Sequence, residues 1–565
     1  MNSLFLALIG VGMIAAGFAF YSKFLASRVF KLSDEYVTPA HTMEDGVDFV
    51  PTNKYVLWGH HFTSVAGAAP IIGPAVAIIW GWLPAFLWVT LGTVFFAGMH
   101  DFGALWASLR HRGQSIGTLS GRYIGTRGRN LFLVVIFLLL LMVNAAFATV
   151  ISRLLVSTPT AVIPTWGAIL VALCVGQAIY RFKWSLPVVS VVGVVALYSL
   201  MLLGERFPIS LPETVWGIPA NAVWILALFI YAFCASLLPV WVLLQPRDYI
   251  NGLQLFIGLI ILYASILITH PEVVAPAVNH NVPDGTPGMF PLLFVTVACG
   301  AISGFHGIVS SGTSSKQLDK ETDARFVGYF GAVGEGLLAL GTIIATSAGF
   351  KTLANWEEVY SEWSAGGVGA FISGGGSIIN EGLGLPVSLA ATVLATMAIL
   401  FAATTMDSSV RLQRLVIEEI AQLLGFRVTG LVATIITVVL ALLLTFSSGA
   451  DGSGGMLLWP VFGTTNQLMA ALSLSVMAVI LIRLRRPSLP IVIPLVFVTV
   501  VSLGSAFILL GTLWQARNWL LLGIDAAIIT ATIWVIVEAL VAIGRARNAP
   551  ALVFDDQPSD PAPVA

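Results

Sequence analysis

Runs of about 20 apolar residues recur along the whole chain, and their length constrains the fold more than any other feature. A helix rising 1.5 Å per residue needs about 20 residues to cross the ~30 Å hydrocarbon core of a bilayer. Inside lipid every backbone N–H and C=O must find a partner, so such runs fold as helices. They predict fifteen spans, at 3–22, 62–80, 84–109, 130–155, 161–180, 184–204, 220–244, 251–269, 290–312, 326–350, 386–410, 427–447, 456–482, 489–512 and 520–543. The Gly- and Ser-rich stretch 366–380 reads as a re-entrant or surface segment. Composition agrees: 58% of the 565 residues are hydrophobic and 10% charged, whereas a soluble domain needs a charged surface. The fold class is an all-α polytopic membrane protein. Residues 1–548 form a single transmembrane unit, and the Pro- and Asp-rich stretch 549–565 reads as a disordered cytoplasmic tail.

Other classes fall away on the same evidence. A net charge of −1 gives no reason to expect a nucleic-acid partner. Cys174, Cys234 and Cys299 lie inside apolar runs without pair or metal spacing, as small core residues do. The apolar start has no basic residue before it and Lys23 after it, which marks a first span rather than a cleaved signal. No Gly-x-x-x-x-Gly-Lys-Ser/Thr loop and no His-Glu-x-x-His motif occurs, so neither a nucleotide-driven pump nor a metal-dependent intramembrane protease is expected. No enzyme activity and no cofactor is expected.

Charge sets the orientation. With the N-terminus outside, all of the 27 Lys and Arg residues but Arg153, Arg206, Lys351 and Arg517 fall in inside loops. The positive-inside rule then predicts an external N-terminus and a cytoplasmic C-terminus in a multi-pass plasma-membrane protein.

The second run is interrupted by Gly67-Ala68-Ala69-Pro70 and by Gly73-Pro74. Proline removes a helix hydrogen bond and clashes with the preceding turn. A break at depth is tolerated where protein or a polar cavity covers it, and transporters use the freed backbone groups to bind ions and substrates. The bland alternative is a kink between packed helices. Five spans later, Ser236-Leu237-Leu238-Pro239 lies within 220–244. An odd separation makes the two runs antiparallel. The spacing predicts an inverted five-plus-five core of the LeuT type over 62–410, with 3–22 and 427–543 peripheral. Gly67, Ala68, Ala69, Pro70, Ser236 and Pro239 would frame a small-molecule substrate, with Asn144 as a neutral polar group at span depth.

Ionisable groups in the hydrocarbon cost about 2.5–3.5 kcal/mol each on insertion scales, so each is a candidate for function. His100-Asp101, His306, Glu335 and Asp407 lie within runs, and His60-His61 opens the broken one. Asp101, Glu335 and His306 are candidate proton carriers, with His61 and Asp407 as further coupling candidates. Ser303 with freed carbonyls could ligate Na⁺ instead. The competing structural readings are an Asp407–Arg411 pair on one helix turn, a paired or neutral Glu335, interfacial histidines, and Asn466 as an interhelical hydrogen-bonding group.

Several strings together resemble the carbon starvation protein A (CstA) family of bacterial inner-membrane transporters. They are Trp58-Gly59-His60-His61-Phe62 with Gly67 to Pro74, His100-Asp101-Phe102, Leu237-Leu238-Pro239-Val240-Trp241 with Gln245-Pro246-Arg247-Asp248-Tyr249, Cys299 to Gly307 with Ser310-Ser311-Gly312-Thr313, Thr404-Thr405-Met406-Asp407 with Arg411, and Trp459 to Gly463 with Asn466-Gln467-Leu468. The resemblance covers roughly residues 50–480. It implies cation-coupled uptake of peptides during carbon starvation, or of pyruvate with protons, and membership of the amino acid–polyamine–cation superfamily. A channel or a membrane-embedded carbon-source sensor is the alternative of another class. The coupling ion would be H⁺ or Na⁺.

Overall fold

The computed structural model describes residues 2–363, 366–552 and 554. Apart from a hairpin pairing Thr214–Val215 with Ile218–Pro219, its regular structure is helical. Among the described residues, twelve helices are long and apolar enough to cross a membrane, and Lys54–Ala66 with Ala69–Trp80 qualifies as one further span bent by 44°. Two runs expected as spans hold shorter helices: Gly430–Thr445, and the pair Met289–Thr296 and Gly304–Gly312.

The helices carrying the site are numbered as follows: α1 Lys54–Ala66, α2 Ala69–Ala77, α3 Gly98–Leu109, α4 Thr126–Ser157, α5 Ala220–Leu237, α6 Leu244–Thr269, α7 Met289–Thr296, α8 Gly304–Gly312, α9 Phe330–Ala348, α10 Gly367–Leu383, α11 Val387–Leu423 and α12 Trp459–Arg483. Loops gather by charge at the two ends of the bundle. At one end Arg110 pairs with Glu321 at 2.6 Å, Lys54 with Asp323 at 3.8 Å and Arg411 with Asp48 at 2.6 Å. At the other, the backbone N–H groups of Ser3, Val274 and Asn279 donate to Pro271, Ser347 and Trp80. The tail begins docked on the basic end, where Leu552 N–H donates to the Arg483 carbonyl and Arg485 donates to the Ala549 carbonyl. The disorder expected from Ala549 therefore does not extend to 549–552, and the remainder, Phe554 excepted, lies outside the described residues.

Burial reassigns two parts of the chain. The most apolar 18-residue window of α12 is 94% buried, against 22% for that of Leu186–Arg206. The expectation that 427–543 is wholly peripheral thus fails for α12, whose Gly463, Thr464, Thr465, Ser473 and Ser475 let neighbouring backbones approach. Leu186–Arg206, expected in the core, sits at the rim. From Gly367 on, the stretch 366–380 belongs to α10, which packs across neighbouring helix ends: Gly374 meets the Ala345 carbonyl in the last turn of α9 and Gly382 meets Ser265 near the end of α6, where a side chain would not fit.

The first break lies where the sequence places it. α1 ends at Ala66, Gly67 takes a φ of +55° that favours glycine, and α2 restarts with Pro70 in its first turn. The second does not. Leu238 to Leu243 connect α5 to α6, so Ser236 and Pro239 close a helix at its end and interrupt no span. The reason is positional: α5 is already 18 residues long when Pro239 arrives. The five-plus-five repeat loses the break on which it was built. The other interrupted element is α7–α8, unwound over 297–303. It runs antiparallel to α1–α2, with His61 bonded to Ser314 at one end and Gly73 packed on Thr296 at the other.

This contact is tight enough to test. A Cβ on Gly73 would lie 2.3 Å from the Thr296 carbonyl oxygen, whereas one on Gly12 would meet nothing within 4 Å. Gly73→Ala should cost about 1–3 kcal/mol of stability by overpacking, read by unfolding in detergent, and Gly12→Ala should leave stability unchanged.

Candidate functional site

The unwound segment 297–303 aims the helix that follows it. Gly304 lets α8 start against α12, since a Cβ there would lie 2.4 Å from the Asn466 carbonyl oxygen. The Asn466 side chain replaces the helix bonds that the break removes. Its Oδ1 accepts from Phe305 N–H at 2.8 Å and contacts Ser303 Oγ at 3.1 Å, while its Nδ2 donates to Ser303 Oγ at 2.9 Å and to Cys299 Sγ at 3.1 Å. Asn466 is thus the cap of a broken span as well as a link between helices.

One turn into α8, His306 stands between two carboxylates. Its Nδ1 lies 2.9 Å from Asp101 Oδ2 of α3, and its Nε2 lies 3.3 Å from Glu335 Oε1 of α9. His100 Nδ1 meets the other Asp101 oxygen at 2.8 Å. All four side chains are buried. α9 packs closely through glycines on two sides, Gly331 and Gly334 against His61 and Phe62 of α1 and Gly336 against Thr93. Among the described residues the Glu335 oxygens have no hydrogen-bond partner, and His306 Nε2 is their nearest cation-forming group. A proton between these atoms can reside on either: an imidazolium faces two carboxylates, or a carboxylic acid donates to a neutral imidazole.

A second buried network lies across α1, α6 and α11. His60 Nδ1 is 2.7 Å from Asp248 Oδ2, and Arg247 donates to Asp248 Oδ1 from Nε at 3.0 Å and Nη2 at 2.7 Å. Arg247 Nη1 also reaches Asp407 and the Tyr231 hydroxyl. Ser64 joins by donating to Asp248 Oδ2 at 3.4 Å and also contacts Ser408 Oγ at 2.9 Å. The pairing expected along one helix between Asp407 and Arg411 is absent. Asp407 turns to Arg247, and Arg411 takes Asp48 and the Leu238 carbonyl.

The structure therefore gathers Asp101, His306 and Glu335 into one cluster, with Ser303 one turn away on the same broken element. His61 touches the edge of this cluster through Gly331 and bonds Ser314, and Asp407 belongs to the second network. Gly67, Ala68, Ala69 and Pro70 are buried around the first break, where a Cβ on Gly67 would lie 2.8 Å from Thr405 Oγ1. Asn144 instead donates to Gln413 at 2.7 Å, and the Ser236 carbonyl accepts from Arg414 at 2.8 Å. Asp248 and Arg247 escaped the sequence reading because adjacent opposite charges at a run's end look like a solvated loop. Among the described residues no three His, Cys, Asp or Glu side chains are arranged to hold a metal ion.

A cavity of about 1210 Å³ reaches both breaks. It extends from Arg153, Pro287 and Trp363, at the end remote from the basic loops, to Ala69 of α2 and Thr296 and Cys299 of α7–α8. Cys299 in the cavity wall bonds Asn466 and Ser303 and is also in hydrogen-bonding contact with His306.

Two stretches of the chain, 2–355 and 349–505, match the family described as carbon starvation protein CstA. The peptide transporter CstA of Campylobacter jejuni is 32% identical over 89% of this chain and 80% of its own length. The pyruvate/proton symporter BtsT of Escherichia coli is 31% identical over 91% and 81%. The peptide transporter CstA of Bacillus subtilis is 30% identical over 92% and 91%.

Removing the cap should expose the cost of the break. Asn466→Ala leaves the Phe305 N–H and the Ser303 hydroxyl without their buried partner, a loss of about 1–3 kcal/mol. Chemical unfolding in micelles reads it, and an unchanged stability would contradict the capping role.

Proposed function

Since the chain belongs to the carbon starvation protein CstA family, we propose that it is a proton-coupled secondary transporter that takes up small peptides by alternating access. The observation that carries this reading is the buried Asp101–His306–Glu335 chain directly beneath the floor of the cavity. Transport against a gradient requires a group that binds the driving ion and changes exposure together with the substrate site. His306 rides on the same broken element whose Thr296 and Cys299 line the cavity, so rearranging 297–303 moves the cavity wall and the proton site as one unit.

In this cycle a substrate enters the cavity, which opens to the outside if the basic loops are cytoplasmic in a bacterial inner membrane. A proton arrives at the His306–Glu335 pair and neutralises the excess carboxylate. The loaded element then tilts about Gly67 and 297–303, and both cargoes leave on the inner side. Ser303 and Asn466 hold the broken helix together during the tilt. The cavity volume supports peptides: about 1210 Å³ exceeds the roughly 300–1,000 Å³ of common small-ligand sites. A relative that carries pyruvate with protons supports the choice of coupling ion.

The test is transport in proteoliposomes. Under an imposed proton gradient, Glu335→Gln and Asp101→Asn should lose at least about tenfold in accumulation of labelled dipeptide, yet retain counterflow, because exchange needs no net proton movement. His306→Gln should behave alike. Sodium coupling would instead make Ser303→Ala raise the sodium requirement and leave the carboxamide variants near wild type. Full proton-driven accumulation in all three proton-site variants would reject the assignment.

A further inference from the structure

The walls of the cavity carry a single charge. Arg153, near the end of α4, is the one ionisable side chain other than Cys299 among the described residues that line it. It is exposed to the cavity side and makes no ion pair among the described residues. Asp451, outside the cavity lining, lies within electrostatic reach of Arg153 without pairing with it, and its Oδ1 accepts from the Ser453 N–H at 3.1 Å. The cavity walls are mostly apolar, with Trp363, Trp459 and Phe462 facing the space; the hydroxyls of Ser157, Thr158, Ser448 and Ser453 also line it, and no carboxylate of the described residues does.

We propose that Arg153 is the anchor for the substrate's carboxylate, so that this site, if it transports peptides as argued above, selects short apolar peptides with a free C-terminus. A guanidinium presents a planar fork that pairs bidentately with a carboxylate, and that of Arg153 is not paired with any carboxylate among the described residues. The apolar walls suit the side chains. The opposite end of the cavity lies at Ala69, Thr296 and Cys299, where the two broken elements meet. A molecule held at Arg153 and reaching those residues touches both moving elements, which a shorter unanchored molecule does not.

The experiment is ligand-induced thermal stabilisation of the detergent-solubilised full chain, with dialanine, its C-terminal amide and pyruvate as probes. Wild type should bind dialanine at least about tenfold more tightly than the amide. Arg153→Gln should lose that discrimination by weakening the acid alone, and Arg153→Lys should recover part of it, since charge is kept and the fork is lost. An acid-to-amide ratio equal in wild type and Arg153→Gln overturns the assignment, as does a wild type that binds none of the three probes. Arg153-dependent binding of the acid without accumulation in proteoliposomes would leave the anchor standing and reject the transport reading.

Discussion

One imidazole is buried between two carboxylates where α3, α8 and α9 meet. His306 faces Asp101 and Glu335 from its two ring nitrogens, and none of the three has appreciable contact with solvent. Buried charge is tolerable only when paired, and losing one partner of such a set typically costs about 3–5 kcal/mol. With one proton on the imidazole the cluster still carries an excess negative charge. With a second proton on Glu335 it is balanced. In the transport reading proposed above, protonation of this site would follow the conformational state that brings it to water.

Holding that cluster together requires a backbone that is broken without being loose. The unwound 297–303 gives up helix hydrogen bonds, and Asn466 returns one to Phe305 and ties down Ser303 and Cys299. Glycines allow the neighbouring elements to close on the break: Gly73 on Thr296, Gly300 beside Pro74 and Ala339, and Gly304 on α12. A second set of ion pairs, from His60 through Asp248 and Arg247 to Asp407, joins α1 to α6 and α11. α1 is thus clasped by polar contacts as well as by apolar packing.

Much of this was legible in the sequence, for reasons that are physical. Apolar run length and the price of unpaired backbone fixed the helices, and the cost of intramembrane charge singled out Asp101, His306 and Glu335 from a chain with few such groups. The first break was readable because Gly67 and Pro70 interrupt a run near its middle. The second was misplaced because Pro239 looks as disruptive as Pro70, yet stands after a helix that is already complete. The true interruption near Gly300 and Gly304 contains no proline, and glycine within a membrane span marks close packing as often as a break. The central place of α12 was hidden because its small and polar residues lower its apolar signal. Pairings between distant residues, such as Asp407 with Arg247, depend on which helices become neighbours and carry no local signature.

The central claim is that substrate and proton share one mobile element. The direct measurement is substrate-induced proton exchange, followed with a pH indicator in a weakly buffered detergent solution of the purified protein. The account predicts that adding a transported peptide to wild type changes the number of bound protons, and that His306→Gln abolishes the change while substrate still binds. Saturating substrate binding to wild type with no proton taken up or released at any pH across the transport range would contradict it.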